Sequence, residues 1–294
     1  MQTLEEKRVY ADRSGTTRAY VASGMGVVEV DIADAIVGEF SLCLPCTAND
    51  IATVDDHLAV ATAEDVLVVD LEADELGTEA ATETGFGPAV AVGYADTFLI
   101  AADDDGRVAR FDSTRDSWEP LTDRPLAAVR AIDGGLVGTD DGVYRVHGDG
   151  VDHAGLTDVR DVSATSVPLA ATTEGLYKLG NGWMSIRETP ATVVSADPGG
   201  DPGRLTRAHA VADGTVYEYD RTAADDGVDG GTPWHELEVP ATEIIAFGYG
   251  ETVYAVTADG TFLTADVEAG RRRWRTRTLG VRDVSGLAVA QAQE

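Results

Sequence analysis

The sequence predicts an all-β protein, a seven-bladed β-propeller with four antiparallel strands per blade. Three observations predict it. An alternating apolar strand, an acidic or glycine turn and a second alternating strand recur seven times along the 294 residues. The turn positions 26, 65, 106, 142, 175, 214 and 260 are separated by 39, 41, 36, 33, 39 and 46 residues, which is room for four short strands per unit. No useful window carries apolar residues at the i, i+3, i+4, i+7 spacing of a helix, and glycine punctuates every unit. A β-sandwich accounts for about 100 residues and does not repeat in this way.

The strand pairs follow in order. Tyr20-Val21-Ala22 precedes Gly26 to Val30, Leu58 to Ala61 precedes Asp65 to Val69, and Phe98 to Ala101 precedes Gly106 to Phe111. Leu136-Val137-Gly138 leads to Gly142 to Val146, and Leu169-Ala170-Ala171 to Gly175 to Leu179. Ala208 to Val211 leads to Gly214 to Tyr219, and Val253 to Val256 to Gly260 to Leu263. Small and β-branched segments stand before these pairs, among them Ile51-Ala52-Thr53, Val90-Ala91-Val92, Val159 to Val162 and Ile244-Ile245-Ala246, and suit the narrow axis where blades converge. A fourth strand follows each pair. Trp118, Trp183, Trp234 and Trp274 are expected to open it, with Phe40 in the same place in the first unit, because large rings fill the wide outer rim.

The tail Val281-Arg282-Asp283-Val284-Ser285 copies Val159-Arg160-Asp161-Val162-Ser163, yet no further unit follows. It is expected to supply the inner strand of the first blade and close the ring, hiding its edges. Arg8-Val9-Tyr10-Ala11 is the alternative for that place. The expected organisation is one propeller domain over residues 1–294, with blades at about 1–46 plus 281–290, 47–87, 88–124, 125–157, 158–190, 191–240 and 241–280.

Composition bounds the rest. Net charge is -30, and of 22 basic residues only Lys7 and Lys178 are lysines. Self-repulsion on this scale works against a compact state in dilute buffer, whereas molar salt shortens the Debye length to ~3 Å. The acidity reads as a solvation device. No stretch approaches the ~20 apolar residues of a membrane helix, and the acidic start Met1 to Arg8 does not resemble a signal peptide, so a cytoplasmic protein is expected.

Single blades resemble known repeats. Asp266, Gly270 and Trp274 keep the Asp-x3-Gly-x3-Trp spacing of quinoprotein-like blades, and Phe111 to Leu121 resembles the end of a kelch repeat. The quinoprotein likeness implies that the aspartate caps the turn between third and fourth strands, a structural role. Over its whole length, with its acid-rich, lysine-poor composition, the chain resembles a haloarchaeal β-propeller family without established function. The resemblance implies the fold and no particular chemistry.

Three sets of residues are candidates for function. Gly270-Arg271-Arg272-Arg273-Trp274-Arg275-Thr276-Arg277 concentrates five positive charges in a polyanion. On a strand Arg273, Arg275 and Arg277 share one face and Trp274 the other, as a docking stripe for an acidic partner or a phosphate backbone would require. A charged edge that blocks strand addition, or arginines neutralising neighbouring blades, explains the same pattern. Cys43-Leu44-Pro45-Cys46 has the spacing of a redox dithiol or half a zinc site, with His57, His147, His153, His209 and His235 as the remaining soft ligands; incidental reduced cysteines explain it equally.

The acids Glu64-Asp65, Asp103-Asp104-Asp105, Asp140-Asp141, Glu174, Asp213 and Asp259 lie in turns expected on one face, where oxygen ligands for a cation or the demands of tight hairpins account for them. The inner-strand polar residues Asn49, Asp50, Arg130, Arg160, Asp161, Glu243, Arg282 and Asp283 are able to meet at the channel mouth. The insert from Thr222 to Thr232 reads as a surface loop.

Nucleophile-elbow, zincin, phosphate-loop and dinucleotide patterns are absent, so the expectation is no catalytic residue, no cofactor and no resident metal. The favoured reading is a non-catalytic platform for another protein. A hydrolase or lyase with a polar, metal-assisted site at the channel mouth is the alternative. A membrane partner is not expected, nucleic acid is disfavoured by the charge, and a monomer is the default.

Overall fold

The computed structural model describes residues 16–33, 35–73, 76–148, 150–220, 233–268 and 271–290, with backbone only at 267, 268 and 271. The first blade contributes β1 (Thr17–Ser23), β2 (Gly26–Ala33) and β3 (Ile36–Leu44). The second holds β4 (Ala48–Val54), β5 (His57–Thr62), β6 (Val66–Asp70) and β7 (Ala81–Glu83), and the third β8 (Ala91–Ala95), β9 (Phe98–Ala102), β10 (Val108–Asp112) and β11 (Ser117–Pro120). Next come β12 (Val129–Asp133), β13 (Leu136–Thr139), β14 (Gly142–His147) and β15 (Gly150–Gly155), then β16 (Val159–Ser163), β17 (Leu169–Thr172), β18 (Leu176–Leu179) and β19 (Trp183–Arg187). The sixth blade is β20 (Ala191–Ala196), β21 (Arg207–Ala212), β22 (Thr215–Asp220) and β23 (Trp234–Glu236), and the seventh β24 (Ile244–Tyr249), β25 (Val253–Thr257), β26 (Thr261–Glu268) and β27 (Arg271–Thr278). The last strand, β28 (Val284–Ala290), returns to pair with β1.

Each of the seven sheets among the described residues has four antiparallel strands in sequence order, the first being β28-β1-β2-β3. The innermost strands β28, β4, β8, β12, β16, β20 and β24 touch in that order and β24 meets β28 again, so the ring is closed. The alternative closing segment, Arg8 to Ala11, lies outside the described residues.

Burial falls with radius. The second strands β5, β9, β13, β17 and β25 are buried on both faces, apart from His57 and Phe98 at their starts, and are made mainly of Leu, Ile, Val and Ala, whereas the outer β3, β11 and β19 are almost wholly exposed or half-buried. The apolar core consists of seven wedges, one at each blade interface. Each sheet therefore buries its faces only against its neighbours, which is why the repeat has to close.

The strand pairs are where the repeat puts them, but two expectations need correction. Trp274 is the fourth residue of the eight-residue β27 and Phe40 the fifth of the nine-residue β3, so neither opens its strand, because β26–β27 and β2–β3 are longer hairpins than those of the other blades. The closing strand is also set three residues later than the Val-Arg-Asp-Val-Ser copy suggests. In the fifth blade Val159 pairs with Thr172, Arg160 is skipped as a β-bulge, and Asp161 faces Ala171. In the first blade Val284 pairs with Ser23, Ser285 is skipped and Gly286 faces Ala22. Val284 to Ala288 thus occupy the place of Val159 to Ser163, and Arg282 and Asp283 lie in the approach turn, Asp283 at φ 56° where Asp158 is at φ 50°.

Inner strands are stitched to one another by a positional rule. The residue at the bulge donates to the first carbonyl of the next blade, as Ser285 does to Ala48 and Asn49 to Ala89. The residue after it accepts an amide of the next blade: Asp50 takes the N–H of Val92 and Asp161 that of Val194. Two positions on, Asp133 accepts from Ala164 and Ser163 from Ala196. Where no side chain is wanted the backbones close in; a Cβ on Gly93 would lie 2.6 Å from Ile132 Cγ2.

Candidate functional site

The turns joining second and third strands are built by a hydroxyl. Ser23, Thr62, Thr139, Thr172 and Thr257 are buried at the strand end, and each donates to a carbonyl across its turn. The acids around them are committed locally. Asp65 accepts the amides of Val66, Gly85 and Gly87; Asp103 pairs with Arg107 at 2.9 Å; Asp140 takes both Nε and Nη2 of Arg130, at 3.0 and 3.1 Å. The Arg130 hydrogen bond holds Asp140 below the usual carboxylate range, with the charge of Arg160 adding to it. No three His, Cys, Asp or Glu side chains among the described residues gather as a metal site.

Four of the inner-strand polar residues are engaged within the fold. Asn49, Asp50 and Asp161 serve the interblade stitching, Arg130 serves the Asp140 turn, and Arg282 and Asp283 stand outside the strand. Burial pushes the carboxyls of Asp50 and Asp161 up to about 7 against the pull of two backbone amides each, and raises Asp133 as well. These three groups feel each other's charge across the axis.

Cys43 and Cys46 are half-buried free thiols that donate to different carbonyls, Val27 at 3.3 Å and Leu44 at 3.7 Å. Burial, helped by Glu29, pushes Cys43 up to about 11, and burial beside Glu64 raises Cys46. A reactive dithiol or a zinc ligand pair needs the opposite shift, toward thiolate.

The arginine run is β27, the outermost strand of the seventh blade, with β26 its only neighbour in the sheet. The side chain of Arg271 lies outside the described residues. Arg272 and Trp274 turn toward the sixth blade. Trp274 packs, as do Leu237, Val239 and Ala241, against the apolar wedge between the sixth and seventh blades, and its buried indole N–H has no acceptor among the described residues; by contrast Trp118 and Trp183 donate across the interface to Thr84 and Ala154. Arg273, Arg275 and Arg277 are exposed on the other face. Arg275 binds the carboxylate of Asp266 on β26 at 2.8 Å, a cross-strand ion pair, while the turn that the quinoprotein likeness has this aspartate cap lies outside the described residues. Arg277 lies 5.3 Å from the ring centroid of Phe40 in the first blade and borders a groove of about 520 Å³ lined by Glu29, Asp31 and Glu39.

Behind the strand lies a polar row that sequence reasoning did not identify. His209, Glu218 and His235 are cross-strand neighbours on β21, β22 and β23. Glu218 is buried, and its Oε2 receives Arg272 Nη1 at 2.5 Å and lies 3.3 Å from His235 Nε2. His209, with 0% of its surface exposed, stacks on Phe247. Its Nδ1 lies 3.0 Å from the Tyr249 hydroxyl, which donates to the Ser195 carbonyl at 2.7 Å. Nδ1 is therefore the donor to Tyr249, and Nε2 faces Glu218 Oε1 at 3.4 Å. Burial lowers His209 against the opposing pull of Glu218. Burial raises Glu218, but its contacts with His209 and Arg272 and their charges bring it down to about 2. The available signal was a polar residue inside each of two apolar runs, Ala208-His209-Ala210 and Tyr217-Glu218-Tyr219.

Among the described residues no helix is long and apolar enough to cross a membrane. The family model described as HVO_0234-like beta propeller matches residues 3–290. No curated protein matches the sequence. Among solved structures, the WD40 beta-propeller domain of Doa1 superposes with a TM-score of 0.60 at 14% identity, covering 81% of this chain and 84% of that one. The propeller domain of Cps50 (Swd1) from Myceliophteria thermophila gives 0.60 at 13%, covering 82% and 89%. The computationally designed Ika8 protein gives 0.58 at 15%, covering 94% and 88%. At such identities the likeness is one of fold.

Proposed function

This chain belongs to the HVO_0234-like beta-propeller family, and from that premise we propose that it is a non-catalytic binding platform which docks an acidic protein partner on the outermost strand of its seventh blade. The observation that carries the reading is the face of β27 formed by Arg273, Arg275 and Arg277, three exposed guanidinium groups on a sheet edge, in a chain of net charge -30. Arg272 and Trp274 anchor the strand to the sixth blade through Glu218 and the apolar wedge between the two blades. Arg275 shares Asp266 with its own blade, but a partner carboxylate can still use the remaining donors of the guanidinium fork. The edge repels other copies of itself and suits an acidic extended segment, so its charge also selects what is added to the sheet.

The WD40 fold of the structural neighbours is compatible with a scaffold role. The working environment we propose is a high-salt cytoplasm, in which only a local cluster of charge survives screening. Affinity capture in about 2 M KCl tests the proposal. A stoichiometric protein partner retained by the wild type and lost on changing Arg273, Arg275 and Arg277 to Ser, with an unchanged melting temperature, is the expected result. Equal retention by the variant would overturn it.

A further inference from the structure

We propose that the groove between the second and third blades is a separate docking site, for a peptide segment that presents one aromatic or aliphatic anchor between basic residues. The groove measures about 710 Å³ and opens on the face that carries the β4–β5, β8–β9 and β10–β11 turns. The second blade walls it with small side chains, Val54, Val68, Thr82 and Thr84, which leave the space unfilled. The third blade supplies Tyr94, Phe111 and Phe98, and Phe98 is 51% exposed. Covering the exposed part of this ring takes apolar surface out of water, so an apolar anchor seated here gains directly.

The rim fixes the sign of the partner. Asp55, Glu83 and Asp116 line the groove, are exposed, and have no ion pair among the described residues. Asp112 is already committed to the amides of Thr114 and Arg115 and to the Arg115 guanidinium at 3.2 Å. Arg110 does not offset the three acids. Its guanidinium lies 5.2 Å from the Phe98 ring centroid and is tied to Glu119 at 3.0 Å and to the Gly148 carbonyl at 2.7 Å. An aromatic floor inside three uncommitted carboxylates complements a basic segment with a central apolar residue. The volume is that of a pocket for a few side chains and not of a flat domain interface. The site is opposite in charge to the arginine strand and does not depend on it.

The test is fluorescence anisotropy of short capped peptides with the full chain at about 0.5 M and about 2 M KCl. One peptide carries Phe-Leu between arginines, a second has glutamates in place of the arginines, and a third has serines in place of the anchor. Saturable binding of the first peptide and not of the anchorless one is expected, weakened roughly tenfold, or about 1.4 kcal/mol, by Phe98→Ser; any binding of the acidic peptide is lost with Arg273, Arg275 and Arg277. The triple change Asp55→Asn, Glu83→Gln and Asp116→Asn weakens it comparably in the lower salt and less in the higher, while the Arg273, Arg275 and Arg277 to Ser variant binds it unchanged. No saturable binding, equal binding of the anchorless peptide, equal binding of the acidic peptide by the Arg273, Arg275 and Arg277 to Ser variant, or full affinity in a Phe98→Ser protein with wild-type melting would overturn the proposal. Loss only in the arginine variant would also overturn it, by assigning the peptide to β27.

Discussion

Glu218 joins two blades through single atoms: Arg272 from the seventh blade and His209 and His235 from the sixth all address its carboxylate. Glu218→Gln leaves the Arg272 guanidinium against a neutral amide and removes the anionic partner of His209; a loss on the order of 3 kcal/mol is expected from urea unfolding in high salt. The sign with pH follows from the direction of the shift. A carboxyl held at about 2 when folded contributes stability above its unfolded value, and the contribution is lost as pH falls toward 2. His209, lowered by burial, works the same way at higher pH, since the unfolded chain takes the proton first. Asp50 and Asp161 run opposite. Raised to about 7, they bind protons in the folded chain before the unfolded one, so their contribution grows as pH drops from neutral and fades as pH rises through 7. Asp161→Asn presents an amide donor where an acceptor for Val194 or Val162 is needed and costs about 1 to 2 kcal/mol. Its deficit relative to wild type is expected to widen between pH 8 and pH 5 on the unfolded side-chain scale.

Strands were legible in the sequence because each sheet is amphipathic or buried with a period of two, and because the hairpin turns carry Gly and Asp at the positions their backbone requires. The closing strand was legible as an element but not in register. A copied pentapeptide, Val281 to Ser285, looked like an inner strand, whereas the bulge that sets pairing falls at Ser285 and leaves no mark in composition. The arginine strand was legible as a strand with two faces, since alternation decides that; what Arg272 and Arg277 touch was not, because Glu218 and Phe40 belong to other blades. The His209 row was hidden for the same reason, its members being 9 and 17 residues apart along the chain and adjacent only through sheet pairing. Removing residues 281–294 takes away β28 and with it the inner partner of β1 and the wall for β4 and β24. A melting temperature lower by at least about 10 °C, with a broadened transition in circular dichroism, is expected.

Across the whole molecule the seven apolar wedges share their walls, so loss of any one exposes two neighbours. We expect the described blades to unfold as one cooperative unit. The charge of -30 opposes that unit at low ionic strength. The thermal midpoint is expected to climb as KCl goes from about 0.1 M to about 2 M, where screening lengths fall to a few ångströms, and a flat or falling midpoint would refute the solvation reading of the acids. Pairing of β28 with β1 sets Ala290 opposite Arg18. The two ends of the described residues thus meet inside one sheet, and the order of blades along the polypeptide is a cyclic one whose starting point is arbitrary. A circular permutant that joins these ends and begins instead at the Asp103 to Gly106 turn retains all seven interfaces, and differs only in which blade is sewn from two pieces of chain.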